Sequence, residues 1–135
     1  MTSYIQVVIR VILTLIAGGL IGKEREAVHK PAGIRTHMLV CTGAALYVII
    51  TLEQLPGEVA WIIAGVATGI GFLGAGTIFK SKDEVHGLTT AASIWTVAVI
   101  GMSIGLGYYV ISLIAFIATI FTLHLKYFKF LEKFH

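Results

Sequence analysis

Several short stretches carry residues whose types and spacing could do chemistry. Gly101-Met102-Ser103-Ile104-Gly105 spells GxSxG, the turn that exposes a nucleophilic serine. Gly69-Ile70-Gly71-Phe72-Leu73-Gly74 spells GxGxxG, the turn that cradles a dinucleotide pyrophosphate. Asp83, Glu84 and His86 offer oxygen and nitrogen ligands, and their two carboxylates suit a hard cation such as a magnesium ion. The stretch GKEREAVHKPAGIRTH, Gly22 to His37, holds six of the chain's 17 charged residues: Lys23, Glu24, Arg25, Glu26, Lys30 and Arg35. Arg10 stands alone in an apolar run, and an intramembrane charge is a functional candidate by default.

The elements that must position these residues follow from composition. With 57% hydrophobic residues, 13% charged and a mean hydropathy of +0.92, most of the 135 residues have lipid as their solvent. A span needs about 20 mainly apolar residues to cross roughly 30 Å of hydrocarbon. Five candidates satisfy this: 4–22, 36–52, 59–79, 88–104 and 107–125. The expected fold is an all-α polytopic membrane protein, one transmembrane domain over 1–135. The amino terminus lacks a basic n-region and a cleavage site, so the first span should stay in the mature protein.

Charge sets the orientation. Five spans place Lys23, Arg25, Lys30, Arg35, Lys80, Lys82, Lys126, Lys129 and Lys133 on one side, nine of the ten basic residues. By the positive-inside rule that side is cytoplasmic, with the amino terminus outside and the carboxyl terminus inside. Four spans would put the basic tail outside. The tail 126–135 reads as an amphipathic cytoplasmic segment, its lysines on one face and Phe128, Leu131 and Phe134 elsewhere. A net charge of +3, dispersed among apolar segments, excludes nucleic acid as a partner and leaves membrane lipids. Cys41 is the only cysteine, so no disulfide framework forms.

On this map the catalytic spellings lose their context. GxGxxG falls inside a span instead of between a strand and a helix. Ser103 lies near the outer surface while His37, His86 and His124 lie near the inner one, about 25 Å away, beyond the reach of a general base. No enzymatic activity is expected. Asp83, Glu84 and His86 read first as a solvated connection. Thr36 and Thr89 or Thr90 are placed to cap the starts of spans two and four. Glu24 and Arg35 sit at unfavourable helix ends, which a mutual pair would resolve. Arg10 either snorkels outward or pairs with Glu53 or Glu58.

Small residues indicate how the helices meet. Gly18 and Gly22, Gly65 and Gly69, and Gly101 and Gly105 are GxxxG pairs, and Gly71, Gly74 and Gly76 add further small positions in and after the third span. The third span is therefore expected at the bundle centre. The same seams serve contacts within a chain or between copies, and a homo-oligomer, a dimer first, is expected. A weak self-similarity at offset 54 pairs Gly22 with Gly76 and Gly33 with Gly87, as two hairpins would.

Five stretches also occur together in order: GGLIGKERE, PAGIRTHMLVCTGAAL, GIGFLGAGTI, VHGLTTAASIW and GMSIGLGYY. Over Arg10 to Tyr109 the chain resembles the MgtC/SapB family of bacterial inner-membrane proteins. The resemblance implies five membrane helices with the amino terminus outside, and a role in adaptation to magnesium limitation or acid stress. It also implies membrane-protein partners such as ATP synthase or sensor kinases. Its motif residues here are Arg10, Glu24, Arg25, Arg35, Thr36, Gly71, Gly74, Gly76, Gly87, Thr89 and Thr90. Thr89 stands where virulence-type members have Asn, and the chain resembles short SapB-like members without a soluble carboxyl-terminal domain. Two functions are expected from these readings: a non-enzymatic regulatory module or, as the alternative, a magnesium or proton transporter or channel with Glu24, Asp83 and Glu84 at its inner vestibule.

Overall fold

The computed structural model describes residues 2–127. Helix α1 spans Tyr4–Ala27, α2 Ile34–Gln54, α3 Val59–Ala75, α4 Leu88–Leu106 and α5 Tyr109–His124. Single 3-10 turns lead into α3 at Pro56–Glu58 and follow α5 at Leu125–Tyr127. With those turns, all five are long and apolar enough to cross a membrane. Most of the expected amphipathic tail, including Lys129 and Lys133, lies outside the described residues.

Two boundaries differ from the hydropathy reading by more than two residues. α1 runs five residues past the last glycine of its apolar stretch, through Lys23, Glu24, Arg25 and Glu26 to Ala27, because these residues are strong helix formers. α3 stops at Ala75, short of Phe79. Gly74 and Gly76 weaken the helix there, and the Thr77 hydroxyl donates back to the Gly74 carbonyl at 2.8 Å. The all-α expectation is amended at the next step. β1 (Phe79–Ser81) and β2 (Glu84–His86) form an antiparallel hairpin, with Phe79 opposite His86 and Ser81 opposite Glu84.

The packing is organised by glycines that admit backbone. A Cβ at Gly18 or Gly22 of α1 would lie 2.6 Å from the carbonyl oxygen of His37 or Gly33, so α1 and α2 meet as an antiparallel pair without side chains between them. A Cβ at Gly101 or Gly105 of α4 would lie 2.1 Å or 2.7 Å from the carbonyl oxygen of Cys41 or Ala45. The residue numbers rise together, so α2 and α4 run parallel. Both glycine pairs thus converge on α2. Gly74 makes a looser approach, to the Ala91 backbone at 3.3 Å.

The expectation of a central third span is overturned. In α4, 61% of the apolar span is buried, against 44% in α2 and 6% in α3. A Cβ at Gly65, Gly69 or Gly71 would meet nothing within 4 Å, so these glycines face open space among the described residues. A GxxxG spacing marks a face capable of close approach and leaves open which face it meets. The two hairpins are also unequal: Gly22 abuts α2, whereas the nearest atom to a Cβ on Gly76 is the carbonyl of Leu73 in its own turn.

Candidate functional site

At the end where α1 begins, Arg10 reaches neither Glu53 nor Glu58 nor outward into solvent alone. Its Nη1 donates to the Gly105 carbonyl at 2.7 Å and its Nε to the Tyr109 hydroxyl at 3.2 Å. The guanidinium caps the carboxyl terminus of α4, where orphan carbonyls and the helix dipole both favour a cation. Gly107, at φ +83, ends that helix in the left-handed region and brings the chain under Arg10. Glu53 instead accepts from the amide of Thr2.

At the opposite end, Glu24 pairs with its neighbour Arg25 and not with Arg35. Arg25 donates through Nε to one carboxylate oxygen of Glu24 and through Nη2 to the other, at 2.7 Å for the second bond. Both side chains are buried, at 3% and 8% exposure. That geometry is bidentate and desolvated, the strongest form of ion pair in water-poor surroundings. Arg35 points from an exposed position and forms no ion pair among the described residues. It sits in the first turn of α2, where the expected partner Glu24 is taken.

The helix starts are capped differently from the threonine expectation. Gly33 and Gly87 occupy the N-cap positions of α2 and α4, with Thr36 and both Thr89 and Thr90 already inside the first turns. For α2 the capping group is the Glu26 carboxylate, which accepts from the Ile34 amide at 3.0 Å. Glu26 was legible in the sequence only as one more loop charge, because its cap reaches across eight residues instead of three.

His37 is a buried polar group that the sequence did not single out. Its Nδ1 lies 2.9 Å from the Gly33 carbonyl, which fixes the proton there, and its Nε2 lies 3.0 Å from the Ser93 hydroxyl. The single Ser93 proton serves either that nitrogen or the Thr90 carbonyl 2.8 Å away, and the His37–Ser93 contact joins α2 to α4 at a buried site. Farther along, the hydroxyls of Thr14 and Thr42 meet at 3.0 Å between α1 and α2.

The other candidates stay apart. Asp83, Glu84 and His86 lie on the exposed hairpin, with Glu84 and His86 in a 3.7 Å contact and His86 stacked on Phe79. Among the described residues no three of His, Cys, Asp and Glu converge on a common point. Ser103 donates to the Val99 carbonyl at 3.0 Å within its own helix. Thr89 is exposed at the start of α4, whereas Thr90 is buried.

The geometry can be set beside known proteins. The chain is similar to a protein of Escherichia coli K12 described as putative magnesium transporter YhiD, 40% identical over 93% of this chain and 64% of that one. It is 41% identical to protein MgtC of Salmonella typhimurium LT2 over 74% of this chain and 43% of that one. To protein SrpB of Synechococcus elongatus it is 38% identical over 84% of this chain and 71% of that one. The chain thus spans less than two thirds of the YhiD and MgtC relatives. No solved structure matches. The profile of the MgtC family matches residues 11–134, which includes every glycine seam and both buried ion and hydroxyl networks, and the chain belongs to the MgtC family.

Proposed function

We propose that this membrane protein is a non-enzymatic regulatory module of the bacterial inner membrane, serving adaptation to magnesium limitation or acid stress through contacts with other membrane helices. One observation carries the reading: Gly65, Gly69 and Gly71 face open space on a helix that is 6% buried. A glycine costs about 1 kcal/mol of helix stability relative to alanine in water, and a lipid tail gains nothing from its absent side chain. Elsewhere in the same chain this spacing admits a neighbouring backbone. Between α2 and α3 the unused face opens into a groove of about 460 Å³ lined by Gly43, Tyr47, Gly65 and Gly69.

The first occupant of the groove is α3 of a second copy, packed about a two-fold axis so that each chain presents the same seam. ATP synthase and sensor kinases, implied by the family resemblance, are the proposed targets of that dimer. The orientation assigned has the amino terminus outside. Lys23, Arg25, Lys30, Arg35, Lys80, Lys82 and Lys126 all belong to the end that α1 reaches last, which makes that end cytoplasmic.

Crosslinking tests the seam. Ile62→Cys lines the groove and should crosslink as a dimer in membranes, while Gly69→Leu in the same background should abolish the product; a crosslink insensitive to Gly69→Leu sinks the seam. Native Cys41 is fully buried and should not contribute.

Transport is the second reading, favoured by the name of the Escherichia coli relative. The regulatory reading is supported against it by the buried polar side chains of the central helices, which are hydroxyls and one imidazole. Coupling sites for cations are built from carboxylates or broken-helix carbonyls near mid-membrane. Magnesium or proton flux into proteoliposomes above empty vesicles, lost in Glu24→Gln, would replace the regulatory reading.

A further inference from the structure

A second groove, of about 330 Å³, runs between α1 and α5 with α4 beneath it. Its walls are Leu13, Ile16 and Leu20 from α1 and Leu113 and Phe116 from α5, all but Phe116 exposed. No glycine lines it, unlike the groove beside α3. The Ser112 hydroxyl beside it is spent on the Tyr108 carbonyl at 2.8 Å. Close approach of a second helix backbone relies on small residues, and bulky branched walls hold it off; a flexible hydrocarbon chain fills such a groove instead.

One end of this groove is charged. Tyr109, which lines it, accepts from Arg10 Nε, and Arg10 heads the α1 stripe that continues through Leu13 and Leu20 at helical spacing. The guanidinium is level with the turn between α4 and α5, so it lies where the bundle meets the headgroups. Nε and Nη1 are used, on Tyr109 and the Gly105 carbonyl, whereas Nη2 donates to nothing among the described residues. It is not sealed in either: the enclosed side-chain polar atom without a partner there is the Thr90 hydroxyl oxygen alone. Gly107 contributes to that opening, since a Cβ on it would lie 3.1 Å from Nη2. No carboxylate pairs with Arg10 among the described residues, Glu53 being engaged by the Thr2 amide and Glu58 exposed. An unpaired guanidinium with free donors at this depth calls for an anion.

We infer that this groove binds one anionic phospholipid of the leaflet at the end where α1 begins, its phosphate on Arg10 Nη2 and one acyl chain along Leu13 to Leu20. The lengths agree. Leu20 lies ten residues past Arg10, about 15 Å along the helix, which is half of the roughly 30 Å hydrocarbon thickness and so the reach of one leaflet's chain. A net negative headgroup is favoured over a zwitterionic one, whose own ammonium neutralises the phosphate and repels the guanidinium. The inference goes beyond the regulatory reading and holds equally for a transporter.

Fluorescence quenching of the full chain in vesicles locates the lipid. Leu113→Cys, on the groove wall, carries a bimane; so, in a separate protein, does exposed Ile114→Cys, which does not line the groove. Phosphatidylglycerol or phosphatidylcholine with a nitroxide on the acyl chain is titrated into unlabelled phosphatidylcholine. Phosphatidylglycerol should quench at Leu113 at about tenfold lower mole fraction than phosphatidylcholine, with no such preference at Ile114. Arg10→Met should remove the preference at Leu113 while leaving quenching by phosphatidylcholine as before, and Arg10→Lys should retain part of it. A residue that only braces the helices would shift both lipids alike. Equal quenching by the two lipids at Leu113, a preference that survives Arg10→Met, or one shared by Ile114 overturns the site. Protection of Leu113 from both lipids, with Ile114 quenched, also overturns it and gives the groove to a protein helix.

Discussion

Arg10 ties the first helix to the end of the fourth through the Gly105 carbonyl and to the start of the fifth through the Tyr109 hydroxyl. Hydrogen bonds from a charged group contribute about 1.5–3 kcal/mol. Arg10→Met should therefore lower stability by about that amount in denaturant titrations in micelles, with Arg10→Lys recovering only part, because a single ammonium cannot span both acceptors. The opposite end gives a sharper contrast. Glu24→Gln strands the buried Arg25 guanidinium and should cost about 3–5 kcal/mol, whereas Arg35→Gln at an exposed position should stay within about 0.5 kcal/mol. Equal effects of the two would restore a Glu24 to Arg35 pair. Glu26→Ala removes the cap on α2 and should cost about 1 kcal/mol in the same titration.

At the scale of elements, two glycines of identical local spelling are expected to behave oppositely. Gly101 lies where α4 touches the α2 backbone, and a Cβ there would sit 2.1 Å from the Cys41 carbonyl oxygen. Gly101→Leu should force the central pair apart and destabilise the monomeric fold by about 1–3 kcal/mol or more. Gly69→Leu has open space around it and should leave the monomer as stable as before, with its effect confined to association. Monomer unfolding followed beside crosslinking separates the two effects. A Gly69→Leu protein that fails to fold would mean that α3 packs inward after all.

At the scale of the whole molecule, the orientation has a direct check. Lys82→Cys in the hairpin turn should react with a membrane-impermeant maleimide only from the cytoplasmic side, and Gly57→Cys, ahead of α3, only from the outside. The reverse pattern would invert the bundle.

The sequence by itself determined the number of spans, their approximate limits, the segregation of basic residues to one end and the family. Each rests on information local to a segment: hydropathy over about 20 residues, helix hydrogen bonds that close within four, and charges just outside the apolar run. The glycine faces were legible too, as surfaces able to meet another backbone. The tertiary structure alone decided which surface they meet, and it put α4 at the centre and left the seam of α3 open. It also joined Arg10 to a carbonyl 95 residues away and set His37 against Ser93, 56 residues on. Such partners depend on how each helix is rotated about its own axis. In lipid no hydrophobic gradient sets that rotation, so packing between small-residue faces and the pairing of buried polar groups set it instead.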